Sequence, residues 1–167
     1  RLSIEQIESF NKNGFIFPIT VFNSVQIGKI SNYFNSLLDS AKKVGYEDYS
    51  INGWHYHCRG IYDIMMDSVI LDYVSDLLGP NVLNIMTHLF YKKSQDERRV
   101  SWHQDASYWP LTPTKTVTVW LALDDVSEQN GAMKFIPGSH CHGQIPFQKS
   151  DLEEHNVLNQ TVTDPQG

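Results

Sequence analysis

The sequence has few cysteines and no long apolar run, and each shortage excludes a class of protein. Its 167 residues include two cysteines, Cys58 and Cys141, which are too few for a disulfide framework and suit a reducing compartment. No apolar run reaches the ~20 residues that a membrane span needs. No charged stretch followed by an apolar one opens the chain in the manner of a signal peptide. We therefore expect a cytoplasmic protein.

Basic residues are also in short supply, with 13 Lys and Arg against 19 Asp and Glu and a net charge of -6. Nucleic acids and anionic membranes select clustered basic residues, so we expect neither as a partner. The basic pairs at residues 92–93 and 98–99 remain, either as local anion sites or as solvated loop charges. Nothing in the sequence indicates an oligomeric state.

What is present is the composition of one globular domain, with 41% apolar and 19% charged residues. The N-terminal half predicts three amphipathic helices. Ser3 with Gln6 has the form of a capping box, and Asn23 is a suitable cap. The helices are expected from Ser3 to Gly14, from Asn23 to about Lys43, and from Asp67 to Gly79. They carry apolar stripes and no candidate chemistry.

Extended segments are predicted for most of the remainder. Residues 14–20 predict a strand, and Pro18 indicates that it lies at the edge of a sheet or ends early. Strands are also expected within 81–93, 100–110, 116–123 and 132–136. Asn130 with Gly131 is a hairpin signal. Four strands in close succession favour an antiparallel sandwich or barrel. Residues 46–62 have no clear period and predict either a loop that lines a pocket or a solvated loop.

The candidate chemistry lies in residues 100–110, VSWHQDASYWP. On a strand, side chains alternate faces, so His103 and Asp105 would point the same way. An imidazole and a carboxylate side by side are two of the three ligands of a facial triad, which leaves open positions on Fe(II). His55 and His57 would also share a strand face, but no carboxylate accompanies them.

Several further motifs accompany the metal pair in a fixed order: LSIEQIESFNKNGFIF, LLGPNV, FYKK, WHQDASYWPLTP, TVTVWLALDD and NGAMKFIPGSHCHG. Together they cover nearly the whole chain. In this order and spacing, the sequence resembles the phytanoyl-CoA dioxygenase family of Fe(II)- and 2-oxoglutarate-dependent oxygenases.

The resemblance implies a mainly β fold with N-terminal helices, a double-stranded β-helix of the jelly-roll, cupin-like kind. We expect a single oxygenase domain over residues 1–167. Residues 1–80 would form a helical part packed on the sheet, 81–148 the jelly-roll core strands with the metal motif, and 149–167 a loop. The C-terminal strands of the family are expected to be missing from this chain, so we expect it to be truncated there.

The resemblance also implies a ligand set. His103 and Asp105 match the first two ligands of the iron. The third ligand, a distal His, and the Arg that follows it and binds 2-oxoglutarate have no match in the sequence. The later imidazoles are His140, which belongs to the structural PGSH turn, and His142 and His155, which lie in a loop.

Other positions match residues around the family's co-substrate. Trp120 matches a Trp that packs against 2-oxoglutarate, although a Trp on a sandwich strand is often plain core. The hydroxyls of Tyr91 and Thr87 are candidates to bond a co-substrate carboxylate. Tyr108 and Trp109 are expected to line the substrate side of the site.

The implied reaction hydroxylates an aliphatic C–H bond of a small-molecule or acyl substrate, with dioxygen consumed and 2-oxoglutarate decarboxylated to succinate. Because family members that halogenate replace the carboxylate ligand by a small residue, Asp105 indicates a hydroxylase. Two alternatives remain. One is a non-catalytic jelly-roll binding module that lacks the distal His. The other is a Zn or Mn enzyme on a cupin-like barrel in which His55 or His57 completes the ligand set.

Overall fold

The computed structural model describes residues 1–46, 51–150 and 156–164. Within these ranges, four α-helices are accompanied by short strands and 3-10 helices. The α-helices are α1 (Ile4–Asn13), α2 (Ser24–Lys43), α3 (Arg59–Met65) and α4 (Ser68–Leu78). The strands are β1 (Ile51–Asn52), β2 (His88–Leu89), β3 (Phe147–Lys149) and β4 (Gln160–Val162). The 3-10 helices are Trp54–Tyr56, Asp105–Tyr108, Glu128–Asn130 and Ser139–His142.

Local capping sets the bounds of the first two helices. The Ser3 side chain accepts the N–H of Gln6, and the Gln6 side chain accepts the N–H of Ser3. Asn23 and Gln26 repeat this reciprocal arrangement at the start of α2. Because such boxes satisfy N–H groups that have no intrahelical partner, they define where a helix begins. Both predicted helices are confirmed, and the predicted start of α2 is the observed one.

The third predicted helix corresponds to α4, which Asp67 caps through the N–H groups of Val69 and Ile70. It ends at Gly79, as predicted. An additional helix, α3, lies in the stretch where a loop was predicted, so that prediction is wrong. With seven residues, α3 is too short for its apolar positions to show a helical period.

The predicted strands are largely absent from the described residues. Residues 14–20, 116–123 and 132–136 form no strand, and of 81–93 only β2 is a strand. The described strands form two antiparallel pairs, β1 with β2 and β3 with β4. Composition reports a preference for extended backbone, but a strand also requires a partner at hydrogen-bonding distance. The C-terminal stretch expected as a loop instead contains β4.

The chain divides into two compact units. The first unit comprises Arg1–Leu2, Pro18–Lys93 and Val117–Ala132. The second unit comprises Ser3–Phe17, Ser94–Thr116 and Met133–Gly167. The single domain expected over residues 1–167 stays a prediction.

The core of the first unit lies where α2 meets the β1–β2 pair. Leu38, Ala41 and Ile51 are buried together, and Trp54, Leu89 and Tyr91 pack against them. Register places Ile51 opposite Leu89, so the two-residue strands bring their apolar side chains to the same cluster. Burial of this surface is the main source of stability in the first unit.

In the second unit, the PGSH turn closes the C-terminal end of α1. Gly138 donates its backbone N–H to the Asn13 carbonyl at 2.9 Å, and His140 Nε2 lies 3.1 Å from the Asn11 carbonyl. These carbonyls belong to the last turn of α1, where no intrahelical partner exists. Gly14 has a φ of +84°, and a Cβ there would come 2.5 Å from His140 Nδ1. Gly14 is therefore required by both backbone conformation and space.

Across the described ranges, none of the helices combines the length and apolar character needed to cross a membrane.

Candidate metal site

The two predicted metal ligands lie side by side, although not on a strand. His103 is in an irregular segment and Asp105 begins the 3-10 helix Asp105–Tyr108. His103 Nε2 is 3.2 Å from Asp105 Oδ1. The prediction of a strand at these residues is therefore wrong. The predicted proximity of the two side chains is nevertheless present. The turn from extended backbone into the 3-10 helix produces it.

The orientation of His103 is set by a backbone carbonyl. Its Nδ1 lies 2.7 Å from the Ser101 carbonyl oxygen, which can only accept a hydrogen bond, so Nδ1 carries a proton. In the neutral imidazole the lone pair is then on Nε2, directed at the Asp105 carboxylate. Metal-binding histidines commonly have this arrangement, with the second nitrogen donating to a carbonyl. Two electron-rich atoms that converge in this way require a cation between them, either a proton or a metal ion.

In the metal-free protein, Asp105 favours the protonated form of His103. The hydrogen bond to Asp105 raises the pKa of His103, and burial of the ring opposes this. The bond to the Ser101 carbonyl and the negative charge of Asp105 raise the pKa further. Side-chain exposure is 27% for His103 and 43% for Asp105, so the pair is open enough to exchange the proton for a metal ion.

A polar network holds the segment that precedes His103. Asn156 Oδ1 accepts the backbone N–H of Ser101 at 3.2 Å, and the Ser101 hydroxyl donates to the Gln160 carbonyl at 2.7 Å. Val162 donates its N–H to the Trp102 carbonyl at 2.9 Å. The end of the chain near β4 therefore fixes the backbone whose carbonyl orients His103.

Gln104 lies between the two ligands and is fixed from the other side. Its side-chain Nε2 donates to the Gly143 carbonyl at 2.9 Å, and its Oε1 accepts the N–H of Ile145 at 2.8 Å. The amide nitrogen and the amide oxygen of Gln104 thus both form hydrogen bonds with the segment that follows the PGSH turn. This pair of bonds restrains the backbone between the two ligands.

Tyr108 closes the 3-10 helix beside the pair. Its ring is 6.4 Å from the His103 ring in an edge-on arrangement. The hydroxyl oxygen is buried and has no hydrogen-bond partner among the described residues. Burial raises the pKa of Tyr108, and the nearby charge of Asp105 adds to the effect. The hydroxyl therefore stays protonated and can donate.

The candidate co-substrate residues Thr87, Tyr91 and Trp120 all belong to the first unit. Thr87 Oγ1 lies 2.8 Å from Nδ1 of the buried His55. The Tyr91 ring packs against the core cluster, with Lys42 Nζ at 5.3 Å from its centroid. Trp120 is 41% exposed rather than a core residue. Contact with a co-substrate stays a prediction for all three.

The structure supplies no third ligand from the part of the chain that it describes. Within residues 1–46, 51–150 and 156–164, no group of three His, Cys, Asp or Glu side chains could hold a metal ion. His55 and His57 are not brought into such a group, and His142 is exposed in the 3-10 helix Ser139–His142. His155 lies outside the described residues. The donors present fit two positions of an iron site.

Sequence reasoning missed the residues that support the pair, which are Ser101, Gln104 and Asn156. The role of Gln104 could have been inferred from its position. On extended backbone side chains alternate faces, so a residue between two ligands points away from the metal and needs a hydrogen-bond partner there. The role of Asn156 could not have been inferred in this way, because its contact with Ser101 joins positions 55 residues apart.

Residues 10–165 match the family described as phytanoyl-CoA dioxygenase (PhyH). "Phytanoyl-CoA dioxygenase, peroxisomal" of Bos taurus is 26% identical over 175 residues, covering 92% of this chain and 51% of the relative. "Ectoine dioxygenase" of Halomonas elongata is 24% identical over 164 residues, covering 87% of this chain and 49% of the relative.

"Probable alpha-ketoglutarate-dependent hypophosphite dioxygenase" of Stutzerimonas stutzeri is 33% identical over 86 residues, covering 52% of this chain and 30% of the relative. No solved structure matches the chain. The chain spans about half the length of the first two of these relatives. Since the family match covers nearly all of its residues, the chain belongs to the phytanoyl-CoA dioxygenase family, which implies a cupin-like fold.

Proposed function

We propose that the chain carries the metal pair of an Fe(II)- and 2-oxoglutarate-dependent dioxygenase that hydroxylates an aliphatic C–H bond of a small-molecule or acyl substrate. The observation that carries this proposal is the orientation of His103, whose Nε2 is aimed at Asp105 by the bond from Nδ1 to Ser101. An imidazole nitrogen and a carboxylate oxygen suit Fe(II) and leave room for further ligands. Relatives named as dioxygenases support the same class of chemistry.

In this proposal each residue has a defined task. His103 supplies Nε2 and Asp105 supplies a carboxylate oxygen, while the third ligand comes from outside the part of the chain that the structure describes. Bound iron supplies the oxidising chemistry, with dioxygen as oxidant and 2-oxoglutarate decarboxylated to succinate. Trp120, Tyr91 and Thr87 are the proposed contacts of 2-oxoglutarate. Gln104 and Ser101 hold the ligand pair in register.

Asp105 bears on the type of reaction. A carboxylate occupies a coordination position that a halogenating enzyme of this family would leave to a halide. We therefore propose hydroxylation, within a jelly-roll domain of the cupin-like kind. The relatives are named for very different molecules, phytanoyl-CoA, ectoine and hypophosphite, so the substrate class requires a screen for succinate release.

The compartment is a proposal as well. Cys58 and Cys141 are both free thiols, which suits a reducing environment, and we propose the cytoplasm. The bovine and human relatives are named as peroxisomal proteins, so imaging the full-length tagged protein beside a peroxisomal marker is informative. Coincidence with the marker would contradict the proposal.

Anaerobic titration of the full chain with Fe(II) and 2-oxoglutarate tests the activity class. We expect a weak visible charge-transfer band that requires both components and is abolished by His103→Ala and by Asp105→Ala. His57→Ala is the matched control, because it removes an exposed imidazole of the first unit. A band that survives Asp105→Ala, or one that is lost in His57→Ala, would overturn the assignment of the ligand pair.

A second candidate function is a non-catalytic jelly-roll binding module. The observation in its favour is that the described residues bring together only two ligands. This alternative expects 2-oxoglutarate or substrate to bind without succinate formation in the full-length protein. Succinate release that depends on Asp105 would exclude it.

A further inference from the structure

The hydroxyl of Tyr108 is the buried polar group of the second unit whose partner the described residues do not provide. A buried hydroxyl without a hydrogen bond carries a desolvation cost, so native proteins rarely leave one unsatisfied. The rest of the same segment is well satisfied. Ser107 Oγ accepts from Gln144 at 3.0 Å, and both ends of the Gln104 amide are bonded. Among the described residues, Tyr108 OH is thus the buried side-chain polar atom that lacks a hydrogen-bond partner.

The backbone determines which neighbours Tyr108 has. In a 3-10 helix, side chains three residues apart eclipse one another. Tyr108 is three residues after Asp105 in the helix Asp105–Tyr108, so the two side chains share one face. The ring also stands edge-on to His103, with 69° between the ring planes. The Tyr108 side chain therefore lies beside both ligands. Helix geometry places it on the face of Asp105, and its ring contacts the ring of His103.

The chemistry of the group narrows what it would bind. A phenol hydroxyl can donate a hydrogen bond as well as accept one. The complementary atom is an electron-rich oxygen. Oxygen atoms of that kind are what a metal ion held by His103 and Asp105 would bring to the same face, as bound water or as a carboxylate of a 2-oxo acid.

We propose that the Tyr108 hydroxyl donates a hydrogen bond to an oxygen ligand of the metal held by His103 and Asp105, and so is a ligand-binding residue of this site. The inference rests on the proposed function, because it presumes that the pair binds metal. It adds a third contact of the site that comes from the same short segment as the two ligands.

The test uses Tyr108→Phe in the full chain, with Mn²⁺ as a redox-stable probe. Isothermal titration calorimetry measures Mn²⁺ binding alone and then 2-oxoglutarate binding to the Mn²⁺-loaded protein. We expect Tyr108→Phe to weaken Mn²⁺ binding, 2-oxoglutarate binding or both by about tenfold or more. This is the effect expected for loss of a hydrogen bond to a charged group. Loss in the Mn²⁺ arm identifies metal-bound water, and loss confined to the second arm identifies the carboxylate.

Thermal unfolding of the metal-free protein supplies an independent measurement. Because the variant removes a buried polar atom that lacks a protein partner, we expect its Tm to be unchanged or higher. Tyr62→Phe is the matched control, since its side chain is 42% exposed in the first unit, and it should leave both binding arms unchanged.

The outcomes separate this inference from the proposed function. Equal affinities for wild type and Tyr108→Phe in both arms overturn the inference and leave the metal pair intact. A lower Tm of the metal-free variant shows a structural partner for the hydroxyl and overturns it as well. If wild type and Asp105→Ala bind Mn²⁺ equally, the proposed function fails and this inference fails with it.

Discussion

The two units of the chain are stabilised in different ways. Of the seven apolar residues that are buried in the described part of the chain, six belong to the first unit and only Val162 to the second. In the second unit, side chains such as Ser101, Gln104 and Asn156 are instead engaged in hydrogen bonds. Apolar contact is non-directional, whereas a hydrogen bond fixes distance and angle. The unit that holds the ligand pair is thus the one whose contacts specify orientation.

The largest effect is expected in the apolar core of the first unit. Ile51→Ala removes a side chain that is 2% exposed and should lower the free energy of unfolding by about 2–5 kcal/mol. Urea denaturation measures this change. Val25→Ala, at a position 66% exposed on α2, is the control and should change stability by less than about 0.5 kcal/mol. Similar losses for both variants would show that the buried apolar cluster is not the main source of stability in the first unit.

The corresponding destabilising variant in the second unit is Asn156→Ala. The Asn156 side chain accepts from Ser101 and Leu158 and donates to Ser150 and Thr161. Leaving those groups unpaired should cost about 1–3 kcal/mol. We also expect weaker Mn²⁺ binding, because the carbonyl that orients His103 belongs to Ser101.

Asn159→Ala provides the comparison, since that residue is exposed in the same segment. Calorimetric measurement of Mn²⁺ affinity in the two variants tests whether Asn156 contributes to metal binding. A loss of stability in Asn156→Ala without any loss of Mn²⁺ affinity would show that this network supports the fold and has no part in aiming the imidazole.

A smaller effect is expected at the end of α1. Gly14→Ala introduces a Cβ at positive φ and within 2.5 Å of His140 Nδ1, which should cost about 2 kcal/mol. Adding His140→Ala removes the steric part of that penalty but not the conformational part. A double-mutant cycle by urea denaturation should therefore show the double variant to be less destabilised than the sum of the two single variants. Additive effects would contradict the packing of the PGSH turn on α1.

The smallest effect concerns pH. The folded pKa of His103 is raised above its unfolded value by Asp105, so the pair stabilises the metal-free protein below about pH 6.5. That contribution is lost as pH rises through the raised pKa. Because both side chains are partly exposed, we expect a change below about 1 kcal/mol.

Metal affinity should change in the opposite direction over the same pH interval. A proton on Nε2 excludes the metal ion, so Mn²⁺ binds more tightly as that proton leaves. Titrations at several pH values compare the two trends, with Asp105→Asn expected to flatten the stability change. If metal-free stability and Mn²⁺ affinity rose together with pH, the proton would not be shared by the pair.

The contrast between the units also explains what could be predicted from sequence. The capping box at Ser3 and the cap at Asn23 were readable because each joins residues three positions apart. The strands were not, because β-branched composition does not identify a partner, and residues 116–123 form no strand. At the site, WHQD indicated the ligand pair, but the network of Asn156 and the unmatched hydroxyl of Tyr108 depend on contacts that no local pattern encodes.

The bond between the PGSH turn and α1 has a consequence for the order in which the protein matures. His140 and Asn11 are separated by 129 positions. A ribosome that adds about 5–20 residues per second needs about 6–26 s to cover that interval. During this time α1 has its own N-terminal cap, while the carbonyls at its other end are solvated by water. We therefore expect the second unit to become protease-resistant only after its last segments have been synthesised, later than the helices that precede them.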